Sequence, residues 1–300
     1  MHKKPFILTL ILGLFAVLFQ FFTSSSDVYA ATSITISPLH QTKILVPGKT
    51  ESGSFIVANP ASNDETLEYE ILIKPFWTDD NNEVDFSAHE DYGLIADWIT
   101  IDEPTGSVEP NDNVEVTFKI NVPEDAPAGG QYASLIVRAK PIQGQMISQV
   151  FEMAHLVYAE VAGETIHGGE ISEPVLPGFL ISGNISGGAT VKNTGNVHSY
   201  ATHILQIFPL FSDEEVFTNE ENPQENLIMP DANRYTGVTW NETPSVGIFR
   251  VKYSVSFEGV KKEIDKLVIV CPLWLLFLIL LALFLLIFKI VWGKNRKSDK

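Results

Sequence analysis

Val114-Glu115-Val116-Thr117-Phe118-Lys119-Ile120 is the most regular segment of the chain. Apolar and polar residues alternate over all seven positions, which is the period of a strand with one buried and one wet face. A turn made of Pro110-Asn111-Asp112-Asn113 precedes it. Proline presets a negative φ there and asparagine tolerates a positive one. The same grammar holds on both sides. Leu67, Tyr69, Ile71 and Ile73 alternate with Glu68, Glu70 and Lys74. Further strands are predicted at Ile34–Ile36, at Phe55–Ala58, at Trp98–Ile101, at Tyr132–Ala139 and within Gln149–Val161. No stretch before residue 267 keeps a helical period, so the fold class is all-β, and seven or more strands in about 130 residues predict an immunoglobulin-like β-sandwich.

The plan then repeats. Val191-Lys192-Asn193-Thr194-Gly195 echoes Val57-Ala58-Asn59-Pro60-Ala61, and Pro230-Asp231-Ala232-Asn233 echoes Pro110-Asn111-Asp112-Asn113. The alternation of Phe249, Val251, Tyr253, Val255 and Phe257 echoes Tyr132–Ala139. Two copies are too few for a solenoid, so the reading is two tandem sandwiches, residues 31–164 and 165–264, parted near the glycines Gly163, Gly168 and Gly169.

Both ends of the chain are apolar. Leu267 to Phe288 is uncharged and rich in Leu, Ile and Phe, followed by Lys289 and a tail with Lys294, Arg296, Lys297 and Lys300. This predicts a single transmembrane helix over 267–288 and a cytoplasmic basic tail over 289–300. At the other end, Lys3 and Lys4 precede an apolar run and Val28-Tyr29-Ala30-Ala31, the pattern of a signal peptide over 1–30. Together they predict a type I, single-pass protein of the cell membrane with its sandwiches outside. Cys271 is the sole cysteine, so the exported part forms no internal disulfide.

The chain carries 37 acidic against 20 basic residues, a net charge of −17, and seven of the basic residues lie in the terminal segments. Such a field repels phosphate, which excludes nucleic acid as a partner. No Gly-x-Ser-x-Gly elbow, phosphate-binding glycine loop or His pair at metal spacing occurs, so neither an enzyme nor a cofactor is expected.

One loop collects residues suited to a site. In Phe76–Phe86, Asp79, Asn81, Glu83 and Asp85 alternate as oxygen donors to calcium would, although the glycine and closing glutamate of an EF-hand loop are missing, and a solvated loop is the alternative. Trp77, Phe86 and Tyr92 flank the same loop. They suit an aromatic platform for a glycan or a protein, or else they fill the space beneath the loop.

With Pro47-Gly48-Lys49-Thr50 leading to Ser54–Pro60, a second sandwich bearing Val191–Val197, then an apolar helix and a basic tail, the layout resembles the WxL-interacting surface protein family of Gram-positive bacteria. That resemblance implies a first domain contacting peptidoglycan and a second contacting an exported surface protein with a WxL domain. The expectation is a membrane-anchored envelope binding or scaffold protein; an envelope polysaccharide hydrolase and a passive spacer are the alternatives.

Overall fold

A computed structural model describes residues 33–61, 64–79, 83–87, 91–142, 150–219 and 226–298, with side chains of the last helix described to Lys289. The signal peptide over 1–30 and Asn81 lie outside the described residues. The first half holds β1 (Thr35–Ser37), β2 (His40–Leu45), β3 (Thr50–Asn59), β4 (Leu67–Pro75), β5 (Trp77–Thr78), β6 (Val84–Asp85), α1 (Ile95–Trp98), β7 (Ile99–Ile101), β8 (Thr105–Val108), β9 (Asp112–Asn121), β10 (Gly129–Pro141) and β11 (Phe151–Val161). One sheet has the order β1-β3-β9-β7 and faces a second of order β2-β11-β10-β4-β8, in which only β2 runs parallel to its neighbour. Trp98 ends the one-turn α1 instead of opening a strand.

The second half repeats the arrangement with β12 (Gly169–Ile171), β13 (Phe179–Leu180), β14 (Ile185–Asn193), β15 (Ser199–Tyr200), β16 (Thr202–Pro209), β17 (Phe217–Thr218), β18 (Leu227–Ile228), β19 (Asn233–Trp240), β20 (Gly247–Phe257) and β21 (Val260–Val270). Its sheets have the orders β12-β14-β19 and β13-β21-β20-β16-β17. Strand for strand the second of these matches β2-β11-β10-β4-β8, down to the parallel outer strand, β13 beside β21. The described chain is therefore mostly β and builds two immunoglobulin-like sandwiches.

The alternation read at 114–120 is what fills the first core. Val116, Phe118 and Ile120 are buried while Glu115, Thr117 and Lys119 face water. Phe118 meets Phe55 at 6.5 Å, and the His155 ring stacks on Phe55 at 4.7 Å. The repeated turns are equivalent in detail. Asn111 and Asp231, each the second residue of its Pro-Asn/Asp turn, both have φ of 60°.

The repeated asparagines do more than turn the chain. Asn59 and Asn193 are each 1% exposed. The Asn59 amide donates to the carbonyls of Glu65 and Val108 at 2.9 and 3.0 Å; that of Asn193 donates to Val197 and Ile228 at 2.8 and 3.0 Å. Each thus satisfies two main-chain acceptors at the end of a sandwich.

The predicted apolar span is divided. Leu267–Val270 belong to β21, with Val268 and Val270 buried and Leu267 and Ile269 exposed, so the strand's two-residue period runs through the start of the span. Pro272, which has no amide hydrogen to extend the ladder, ends it. The helix α2 (Leu273–Ser298) then begins, its first bonds running from the Leu275 and Leu276 amides to the Pro272 carbonyl at 3.0 Å. The second sandwich accordingly extends to residue 270, beyond the expected 264. Among the described residues no helix is long and apolar enough to cross a membrane. The uncharged part of α2, Leu273–Phe288, measures ~24 Å at 1.5 Å per residue against a ~30 Å hydrocarbon core.

Replacing Asn59 or Asn193 by alanine strands two buried carbonyls, at a cost of roughly 1–3 kcal/mol for an unsatisfied group. Denaturant titration of the full chain is expected to show a lower midpoint for each single variant. An unchanged midpoint would contradict the role of the amides as clamps.

Candidate functional site at the seam between the sandwiches

Strand β10 is buried on both faces over Gly129–Val137. Its period-two residues Ala133, Leu135 and Val137 point into the first core. Tyr132, on the opposite face, joins the core of the second sandwich, as does Phe76. From the neighbouring strand β11, Leu156 and Tyr158 pack against that same core while Val157, Ala159 and Val161 fill their own.

Tyr132 is the hub of the seam. Its ring lies 6.1 Å from Phe76, 5.8 Å from Trp77, 6.0 Å from Tyr158 and 5.6 Å from His198, mostly edge to face. This is the geometry that aromatic quadrupoles favour. Its hydroxyl oxygen accepts the His198 main-chain amide at 3.0 Å and faces His198 Nδ1 at 3.3 Å. Further contacts cross the seam, among them the Asn196 side-chain amide donating to the Ala128 carbonyl at 3.4 Å. The Gly130 amide donates to the Asn196 carbonyl at 2.7 Å, and the Tyr92 hydroxyl reaches Asp231 at 3.5 Å. Gly129 has φ of 119°, and a Cβ there would lie 2.8 Å from the Asn196 carbonyl oxygen, so a side chain is excluded at this approach.

Burial sets the protonation states. It pushes the Tyr132 hydroxyl well above the usual tyrosine range and Tyr158 up to about 12. It lowers His198 to about 4. In the second core it also lowers His203 to about 4, where both ring nitrogens are engaged by Tyr253 and Thr236 at 2.7 and 2.9 Å. These groups are neutral near pH 7 and hold position; none is poised to move a proton at that pH.

The expected aromatic platform is only in part brought together. Trp77 and Tyr92 stack at 5.1 Å, but against Tyr132 and the second core, each half-buried. Phe86 is 40% exposed and belongs to neither described core cluster. Of the proposed calcium donors, Asp79 accepts the Glu83 amide at 2.8 Å across the β5–β6 hairpin. Asp85 accepts the amide and hydroxyl of Ser87 at 2.9 and 2.6 Å. Among the described residues no group of three His, Cys, Asp or Glu side chains is placed to hold a metal.

Two shallow grooves open on the first sandwich. One, of about 620 Å³, lies between β2 and the part of β3 that β1 leaves uncovered. There Lys43 donates to the Ser52 carbonyl at 2.7 Å and Gln41 donates to that of Ser54, so side chains cap main-chain acceptors along a strand edge. The other, of about 650 Å³, crosses β8, β4 and β10, where Arg138 bridges Glu70 and Glu152 at 3.1 and 2.6 Å.

No family model and no curated protein matches the chain. Solved structures that overlap it include the class 5 fimbriae chaperone CfaA, with 16% identity and a TM-score of 0.37, covering 80% of this chain and 100% of that one. The E. coli chaperone DraB follows at 9% identity and a TM-score of 0.38, covering 78% and 98%. The ASH or PapD-like domain of human CEP192 gives 12% and 0.32, covering 47% of this chain and 97% of its own. At such scores the overlap assigns no residue and no ligand.

Two outcomes follow from the seam. Replacing Trp77 by alanine removes half-buried aromatic area that closes it, and the thermal midpoint of the full chain is expected to fall, by an amount equivalent to about 1–3 kcal/mol. A binding platform free of structural load would leave it unchanged. For pH, the folded-state value of His198 lies below the ~6.5 of an unfolded histidine, so between those values the unfolded chain binds the extra proton. Stability is then lost as pH falls from about 6.5 to about 4, on the order of 3 kcal/mol per such imidazole, and this contribution levels off below. His198→Gln is expected to flatten that slope in denaturation midpoints taken across this range, leaving the shares of His203 and of His155, which burial also lowers.

Proposed function

We propose that the chain is a non-enzymatic envelope protein, exported by the amino-terminal signal read in its sequence and held at the membrane by α2. In this reading it presents its paired sandwiches outside to bind another exported protein or peptidoglycan. The observation that carries the reading is the junction at Cys271–Pro272. A strand paired on both sides, its last residue buried, passes within two residues into a helix whose side chains from Leu273 to Phe288 are uncharged and largely exposed. An apolar face of that extent in water is unfavourable by the area it leaves uncovered, and lipid removes the cost. One snorkelling lysine, Lys289, followed in sequence by Ile290, Val291 and Trp292, brings the helix from Leu273 to ~30 Å, the thickness it must cover. The Lys and Arg beyond then lie on the cytoplasmic side, making a type I protein.

Binding is placed on the first sandwich, at the β3 edge. Carbonyls held by a lysine and a glutamine are released when those side chains swing away, and an extended peptide then takes their place by strand addition. The partners to be tried are those implied by the layout's resemblance to the WxL-interacting surface protein family, peptidoglycan and a WxL-domain protein. The buried, neutral ring cluster at the seam supports a structural use of those residues over a hydrolytic one.

The test uses the full chain in lipid nanodiscs. It is mixed with purified insoluble peptidoglycan, and separately with a purified exported protein carrying a WxL domain. At least one is expected to be retained, with no soluble fragments released from the polymer. Release of fragments would replace the binder by a hydrolase, and retention of neither would leave only a spacer.

A further inference from the structure

The end of the second sandwich from which α2 leaves carries more exposed apolar side chains than the anchor itself requires. Four neighbouring strand ends meet there, those of β13, β21, β20 and β16. Gly247 of β20 is paired with Val270, the Cys271 amide donates to the Leu180 carbonyl at 2.9 Å, and the Leu210 amide donates to the Ile248 carbonyl at 3.0 Å. Around them Phe179 is 46% exposed, Ile181 45%, Val246 47%, Ile248 42% and Phe211 96%. The register continues this across the outer face, with Ile269 opposite both Phe179 and Ile248. A shallow, mainly apolar groove of about 450 Å³ runs between Leu210–Phe211 and Gly247–Ile248.

We propose that this end is a lipid-contact surface, seated in the headgroup layer beside the point where α2 enters. The inference rests on the reading of α2 as an anchor and deepens it. Its basis is the length of the tether. From Val270 to Leu273 there are three chain steps, at most ~11 Å when extended. The headgroup layer on one side of a bilayer is itself ~5–7 Å thick. A helix that starts at the hydrocarbon boundary therefore holds Val270 in or just above the headgroups. The tips at Ile181, Val246 and Phe211 lie around that strand end, and the tether leaves them no path away from the surface. Phe211, almost wholly exposed, fits the interface, where aromatic rings are favoured.

Charge specifies the lipid. Asp213, Glu214 and Glu215 follow Phe211, and Glu242 lies in the adjoining loop; the basic groups nearby are tied up, Arg250 with Asp213 at 2.9 Å, Lys266 with the Leu176 carbonyl at 3.2 Å and Lys252 over the Phe208 ring at 5.7 Å. An acidic rim of this kind repels anionic headgroups, so contact is strongest on zwitterionic bilayers and weakens as anionic lipid is added.

The test places single nitroxide labels in the full chain, in which Cys271→Ser removes the natural thiol. The sites are Phe211→Cys, Val246→Cys, Leu281→Cys in the helix and Ser107→Cys on the first sandwich. The chain is reconstituted into phosphatidylcholine vesicles, and collision with oxygen is compared with collision with a water-soluble nickel chelate. At residues 211 and 246 the oxygen-to-nickel ratio is expected to exceed that at 107 and to fall short of that at 281. Doping the vesicles with phosphatidylglycerol is expected to lower it. Ratios at 211 and 246 equal to that at 107, with 281 in lipid, would overturn the contact surface and leave the anchor standing. Shielding from both reagents would also overturn it, by showing a second copy or another protein on that end. If residue 281 itself reports water, the anchor reading fails.

Discussion

The Tyr132 hydroxyl, accepting the His198 amide at 3.0 Å, is the contact around which the two sandwiches are arranged. It sits on the outer face of a strand whose inner face fills the first core, so a single stretch of β10 serves two cores at once. Burying a tyrosine hydroxyl costs free energy unless it is hydrogen-bonded, and here the partner comes from the other domain. Gly130 to Asn196 and Tyr92 to Asp231 cross the same boundary, with Phe76 and Trp77 closing it from the side. The seam is therefore made like a core, from interlocked rings and satisfied polar groups. The residues near it that resemble a binding platform are taken up in holding the domains together.

That distinction explains which parts of the molecule were legible in the sequence. The strand at 114–120 reads directly because one face is wet, and alternation is the signature of a half-buried strand. The tandem repeat reads from its turns, whose Pro-Asn and Pro-Asp steps need a positive φ at one residue. The clamps made by Asn59 and Asn193 do not read in the same way, since an asparagine in a turn looks alike whether its amide meets water or two buried carbonyls. Tyr132-Ala133-Ser134-Leu135-Ile136-Val137 carries a signal of its own. A strand with few polar breaks has both faces covered. What covers the second face is a long-range fact that no local pattern contains, and so nothing in the sequence marks Tyr132, Tyr158 and His198 as a group.

The carboxyl-terminal boundary shows the opposite difficulty. An uncharged run from Leu267 to Phe288 suits a helix and a buried strand equally well by composition. Only Pro272 marks where one becomes the other, and Val268 and Val270 turn out to be core residues of the second sandwich. The consequence is mechanical. Because the change takes two residues, the sandwich and the helix cannot separate by more than the reach of those residues.

In the proposed reading the molecule is a pair of joined sandwiches held close to a lipid surface by its last helix. Alkaline carbonate extraction of membranes from cells making the full chain, combined with protease added to intact protoplasts, tests this most directly. The chain is expected to stay in the membrane pellet, and protease to reduce it to a short fragment containing residues 273–298. Release into the carbonate supernatant, or a full-length chain untouched by external protease, would contradict that reading.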